Sequence, residues 1–166
     1  MDIADVFRKR NLKNINFKFE DLVGKDLSDS FLSGVDLNGV DIHDANLSGA
    51  DLSNAKLKDG ILFNAKFRGA DLRGADLRDA KIWDADLYGT DMRGADLKGT
   101  DLFNSDLRSS DLSNADLSGA YLRNTDFTGS ILENTEFFKT HYDKKTIDTF
   151  SDKDSKLKLQ EQGILW

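Results

Sequence analysis

The chain has 166 residues, 30 of them acidic and 23 basic, for a formal charge of −7, and it contains neither cysteine nor proline. That length suits one domain, and the missing cysteines exclude a disulfide framework, a thiolate nucleophile and a thiolate metal site, which fits a reducing, cytoplasmic compartment. The acidic balance argues against a direct nucleic-acid-binding surface, which needs a basic footprint; no stretch reaches the roughly 18 consecutive apolar residues of a membrane span, and the opening residues carry no secretion signal.

Taken in chain order, Ile3, Val6, Phe7 and Arg10 fall on one face at helical spacing, so residues 2 to 10 are expected to form a short helix. Residues 1–14 then act as an N-terminal cap. The acidity sits just beyond. Glu20 to Asn54 holds eight acidic residues against one basic, whereas 66–125 holds eleven against nine.

From Phe17 to Phe137 a large apolar residue returns at every fifth position without an insertion, as in Leu62, Phe67, Leu72, Leu77, Ile82 and Leu87. A helix would show spacings of three and four. Two residues before each large residue stands a small one, such as Ala70, Ala75, Ala80 or Thr90. A spacing of two puts both on the same side of an extended backbone, with the residue between them, usually Asp, pointing out. Gly, Asn or Asp recurs two positions after the large residue, as at Gly69, Gly74, Asn104 and Asn114. These types tolerate left-handed backbone and favour turns. A short extended step and a turn, repeated, make a coil that buries its apolar face only by stacking on further coils. The early pentads are irregular, because Glu20, Lys25 and Ser30 take the small position. The first coil is therefore expected to be distorted or partly open.

The strings Ala70-Asp71-Leu72-Arg73-Gly74, Ala95-Asp96-Leu97-Lys98-Gly99 and Ala115-Asp116-Leu117-Ser118-Gly119 resemble the A(D/N)LXX motif of the pentapeptide-repeat family. The resemblance covers residues 15–140. It implies an all-β, right-handed quadrilateral β-helix with four pentads per square coil, and hence about six coils. At a strand spacing of about 4.8 Å the rod would be about 30 Å long.

Beyond Phe137 the repeat fades, and residues 141–166 are read as a C-terminal cap. Ser151-Asp152-Lys153-Asp154 marks a helix start and Gly163 its stop. The closing Ile164, Leu165 and Trp166 are expected to lid the last coil; the alternative is an end-to-end homodimer.

No catalytic constellation is evident, and no cofactor or metal is expected. His43 and His141 lack partners at metal spacing, so His43 reads as a surface residue. A rod with a filled core offers no substrate cavity. The chain is thus expected not to be an enzyme. Asn46-Leu47-Ser48 forms a glycosylation sequon, of little weight without a secretion signal.

Residues twenty apart should lie above one another. The outward column Val23, His43, Phe63, Trp83, Phe103, Arg123 places three aromatics in succession, and Ile61 and Tyr121 replace the usual outward Asp on that face. Tyr88, between Arg68 and Arg108 in the neighbouring column, borders it. Aromatic and arginine side chains are enriched at interface centres. The expectation is a non-catalytic interaction or scaffold protein whose partner is another protein, with no nucleic acid and no membrane involved. The alternative is DNA mimicry. Family members that confer quinolone resistance act on DNA gyrase in that way, and the Asp columns along the rod suggest it.

Overall fold

The computed structural model describes residues 22–166. The expected helix at 2–10 and the small-position residue Glu20 lie outside the described residues. Twenty isolated parallel bridges run from Asp26–Asn46 to Tyr121–His141, and every one joins a residue to the residue twenty further on. The chain therefore returns upon itself every four pentads. Each pentad contributes one bridged residue and one turn, so a return has four sides.

The turns follow from the sequence pattern. Every fifth residue from Gly24 to Lys139 has positive φ, between 55° and 72°. Leu47 and Ala50 show the rest of the turn, with the Ala50 N–H donating to the Leu47 carbonyl at 3.1 Å. A four-residue turn closed in this way, with positive φ at its third residue, meets the demand of a type II turn and explains the Gly, Asn and Asp at that position. The rungs between returns are backbone hydrogen bonds on both edges. The Leu47 N–H donates to the Lys66 carbonyl at 2.7 Å, and the Asn46 N–H donates to the Lys25 carbonyl at 2.9 Å.

Large and small inward residues fill the interior. Leu22 through Phe137 in the large column are all buried. Where the small position is Thr or Ser instead of Ala, its hydroxyl needs an acceptor. Thr100, Ser105 and Thr125 each donate to a carbonyl one return below, on Leu77, Ile82 and Leu102, at 2.7 to 2.8 Å. Ser30 Oγ is buried with no partner. Lys25 is exposed, and its N–H still closes a turn onto Leu22 at 3.2 Å. The irregular small positions thus change side-chain burial and leave that turn formed.

Four short elements close the described chain: β1 (His141–Tyr142), α1 (Lys144–Asp148), α2 (Lys153–Gln162) and β2 (Ile164–Leu165). Asp143 caps α1, accepting the Thr146 N–H at 2.8 Å. Asp152, one residue after the Ser151 that opens the sequence signal, caps α2 and accepts the Ser155 N–H at 2.7 Å. Gly163 ends α2, where a Cβ would meet the Leu159 carbonyl and the Tyr142 ring.

The helices, not the closing residues, cover the last return. Ile147, Phe150 and Leu159 are buried, and the Phe150 ring meets Phe127 edge-on at 5.0 Å and Phe137 at 5.8 Å. Ile164 and Leu165 instead pair in parallel with His141 and Tyr142. They extend one side of the stack, at an offset of 23 residues instead of twenty, because α1 and α2 replace the next return. Leu165 and Trp166 remain 62% and 67% exposed. The expectation that Ile164, Leu165 and Trp166 lid the coil is corrected accordingly.

Candidate functional site

The four sides differ in how their outward side chains are satisfied. On one side Asp71, Asp91 and Asp111 are bridged in a column, with Arg73 and Arg93 beside them. Arg73 reaches Asp71 at 2.5 Å and Asp91 on the next return at 3.6 Å; Arg93 reaches Asp91 at 2.6 Å and Asp111 at 3.8 Å. The adjacent side repeats the device. Arg78 lies between Asp76 and Asp96, and Lys98 lies between Asp96 and Asp116. The guanidinium hydrogen bonds hold Asp71, Asp76 and Asp91 below the usual carboxylate range against the opposing effect of burial. These acidic columns are neutralised by their own repeat.

The side opposite the Asp71 column carries the aromatic residues. His43, Phe63 and Trp83 stack face to face, with centroids 4.5 and 4.2 Å apart. His43 Nδ1 is also 2.6 Å from Asp41 Oδ1, so it is built into the stack as well as lying at the surface. The succession of three stacked aromatics expected from the sequence stops at Trp83. No ring contact joins Trp83 to Phe103, and the Arg123 guanidinium lies over the Phe103 ring at 5.3 Å. Phe63 and Trp83 are half-buried by their mutual stacking, whereas Phe103 is 37% exposed. Ile61 and Tyr121 lie in the bridged column beside them, with Lys81 and Asp101 between. A shallow groove runs along Ile61, Phe63, Trp83 and Tyr121. Tyr88 stands on the next side, clamped between Arg68 at 4.5 Å and Arg108 at 5.8 Å. It borders the aromatic side without joining it.

A second groove, of about 230 Å³, lies further along the aromatic side and is lined by Asp101, Phe103, Tyr121, Arg123, His141 and Trp166. Tyr121 stacks on His141 at 4.7 Å, and the Trp166 ring meets His141 edge-on. The Trp166 indole N–H donates to His141 Nδ1 at 2.8 Å, which leaves the His141 proton on Nε2. Column arithmetic brings Asp101, Tyr121 and His141 together. The arrival of Trp166 depends on the 23-residue detour and carries no sequence signal.

Among the described residues no group of three or more His, Cys, Asp or Glu is arranged to hold a metal ion, and no helix is long and apolar enough to cross a membrane.

The family model for pentapeptide repeats matches in eight copies, over residues 21–59, 62–94 and 95–134. The chain belongs to the pentapeptide-repeat family. No curated protein matches it. Among solved structures it is similar to a pentapeptide repeat protein from Nostoc PCC 7120, at 26% identity over 86% of this chain and 85% of that one, with a TM-score of 0.43. It is also similar to HetL, a pentapeptide repeat protein of Nostoc sp. strain PCC 7120 involved in heterocyst differentiation regulation. There the identity is 22%, the coverage 84% and 96%, and the TM-score 0.32. A third similar structure is QnrB1, a plasmid-mediated fluoroquinolone resistance protein, at 19% identity, 76% and 77% coverage and a TM-score of 0.38. In this pentapeptide-repeat chain the interior is set by the motif, and the outward residues distinguish one side from another.

Proposed function

We propose that this pentapeptide-repeat protein is a non-catalytic binding or scaffold protein of the cytoplasm. Its coil is right-handed, as in the family, and a protein partner docks on the side carrying Ile61, Phe63, Trp83, Phe103 and Tyr121. The observation that carries this reading is the contrast between sides. The Asp71 and Asp76 columns are satisfied by their own arginines and lysine, while the side opposite the Asp71 column presents aromatic edges. Large rigid rings with few torsions contribute strongly to protein interfaces. Along residues 66–125 the same neutralised carboxylates support partner docking over imitation of DNA, since a mimic needs its negative charge unpaired.

The test compares baits in a pull-down from the native cell extract. One bait replaces Phe63 and Trp83 by alanine, and a second replaces Arg73 and Arg93. A partner held by wild type and by the arginine variant, but lost from a folded aromatic variant, is the expected result. Equal recovery by all three baits overturns the reading.

Self-association at the end of the rod is a second reading, favoured by β2. Among the described residues that strand is paired along one edge only, and its Leu165 is exposed, so it offers backbone groups to another strand. Sedimentation across a hundredfold concentration range, with and without Leu165→Lys, decides it. A single monomeric species throughout rejects it.

A further inference from the structure

The geometry points to the groove at Phe103, Tyr121, Arg123, His141 and Trp166 as a binding site for a small planar aromatic carboxylate. This inference goes beyond the protein-docking reading and does not depend on it.

The first support is charge. Six arginines lie among the described residues. Arg68, Arg73, Arg78, Arg93 and Arg108 each have a carboxylate within 4 Å. Arg123 is the exception among them. Its guanidinium rests on the Phe103 ring, and its five N–H donors find no acceptor among the described side chains. Asp143, which senses its charge at longer range, is occupied by the Thr146 and Asn124 N–H groups. A guanidinium placed over a ring with its donors unpaired is free to take a carboxylate through two parallel hydrogen bonds.

The second support is shape. The remaining walls are ring surfaces supplied by Phe103, Tyr121, His141 and Trp166. Their arrangement is fixed by the Tyr121–His141 stack and by the indole hydrogen bond to His141. Two further backbone bonds hold the Trp166 wall: the Ile164 N–H donates to the Thr140 carbonyl at 2.7 Å and the Trp166 N–H to the Tyr142 carbonyl at 2.9 Å. A volume of about 230 Å³ is smaller than a drug-sized pocket and suits one or two fused rings. Asp101, at the groove margin, already accepts the Phe103 N–H at 3.1 Å and disfavours a second anionic group there. The ligand is therefore a monocarboxylate with its charge directed to Arg123.

The probe is 2-naphthoate, with naphthalene-2-carboxamide as the uncharged control. Trp83 and Trp166 give two indole N–H resonances in the full chain, assigned with Trp83→Phe. Saturable movement of the Trp166 resonance by 2-naphthoate is expected, with the carboxamide at least about tenfold weaker. Arg123→Gln, at an exposed site without an ion pair, keeps the fold and is expected to remove that difference between the two probes. Three results overturn the inference: equal binding of acid and amide to wild type, undiminished preference for the acid in Arg123→Gln, or no saturable shift of Trp166 up to the solubility limit of the acid. Loss of protein-partner capture by the Phe63 and Trp83 variant bears on the docking reading alone and leaves this outcome separate.

Discussion

The side carrying Asp71, Arg73, Asp91 and Arg93 and the side carrying Phe63, Trp83 and Phe103 are built on the same rungs of the same returns. They differ in where their side chains find partners. On the first, Arg73 and Arg93 each neutralise the Asp two positions earlier and also reach the Asp one return away. On the second, rings satisfy each other along His43, Phe63 and Trp83 and then stop, leaving Phe103 beneath an arginine that has no carboxylate. A repeat that closes its own interactions is finished as a surface. A column in which the pattern breaks off leaves groups in want of a partner.

The largest effects should come from removing what the two sides share. Leu102→Ala, behind Phe103, and Leu112→Ala, behind Ser113, should each cost about 2–5 kcal/mol in urea unfolding, because both are fully buried. A cost confined to one of them would mean that the sides do not share one core. The turns come next. Gly94 has a φ of 68° and open space around a would-be Cβ, so Gly94→Ala should lose about 1–2 kcal/mol through backbone strain alone. Trp83→Ala should lose about 0.5–1.5 kcal/mol of ring stacking beyond its area, and its larger effect should be on partner capture. Arg93→Gln should change stability by only about 0.2–1 kcal/mol, an effect that fades with added salt, because this pair is half exposed.

A pH titration sharpens the same contrast. The guanidinium partners hold Asp71, Asp76, Asp91 and Asp106 below their ordinary value of 3.8. A depressed folded-state pKa gives stability that is present above the unfolded value and lost as pH falls through the folded one. Unfolding midpoints should therefore hold from neutral pH to about 4 and fall below it. The fall should be smaller in Arg73→Gln combined with Arg93→Gln. An unchanged acid limb would show that the ladders contribute nothing to stability.

Much of this was legible in the sequence, and for one reason. A period of five, together with a return of twenty, converts sequence position into spatial position, so the column from His43 to Arg123 can be written down before any coordinate is known. Leu, Ala and Asn at fixed offsets state the core and the turn in the same way. What escaped is what the period does not govern. Whether Trp83 stacks on Phe103 is a matter of rotamers. The placement of Ile164 over His141 depends on two helices whose combined length shifts the register to 23 residues. Arg123 is legible as an outward residue, but its lack of a carboxylate within 4 Å appears only once the other described arginines have been paired.

The return of twenty residues also sets how such a molecule can grow. Duplicating a whole return lengthens the rod and leaves every column facing as before. Duplicating a single pentad turns everything beyond it by a quarter revolution, so that Phe103 would leave the line of Trp83 and stand beside Tyr88. Copying errors in the gene thus act as a dial as well as a ruler. Keeping the column from His43 to Arg123 in line requires any insertion within it to be a whole revolution.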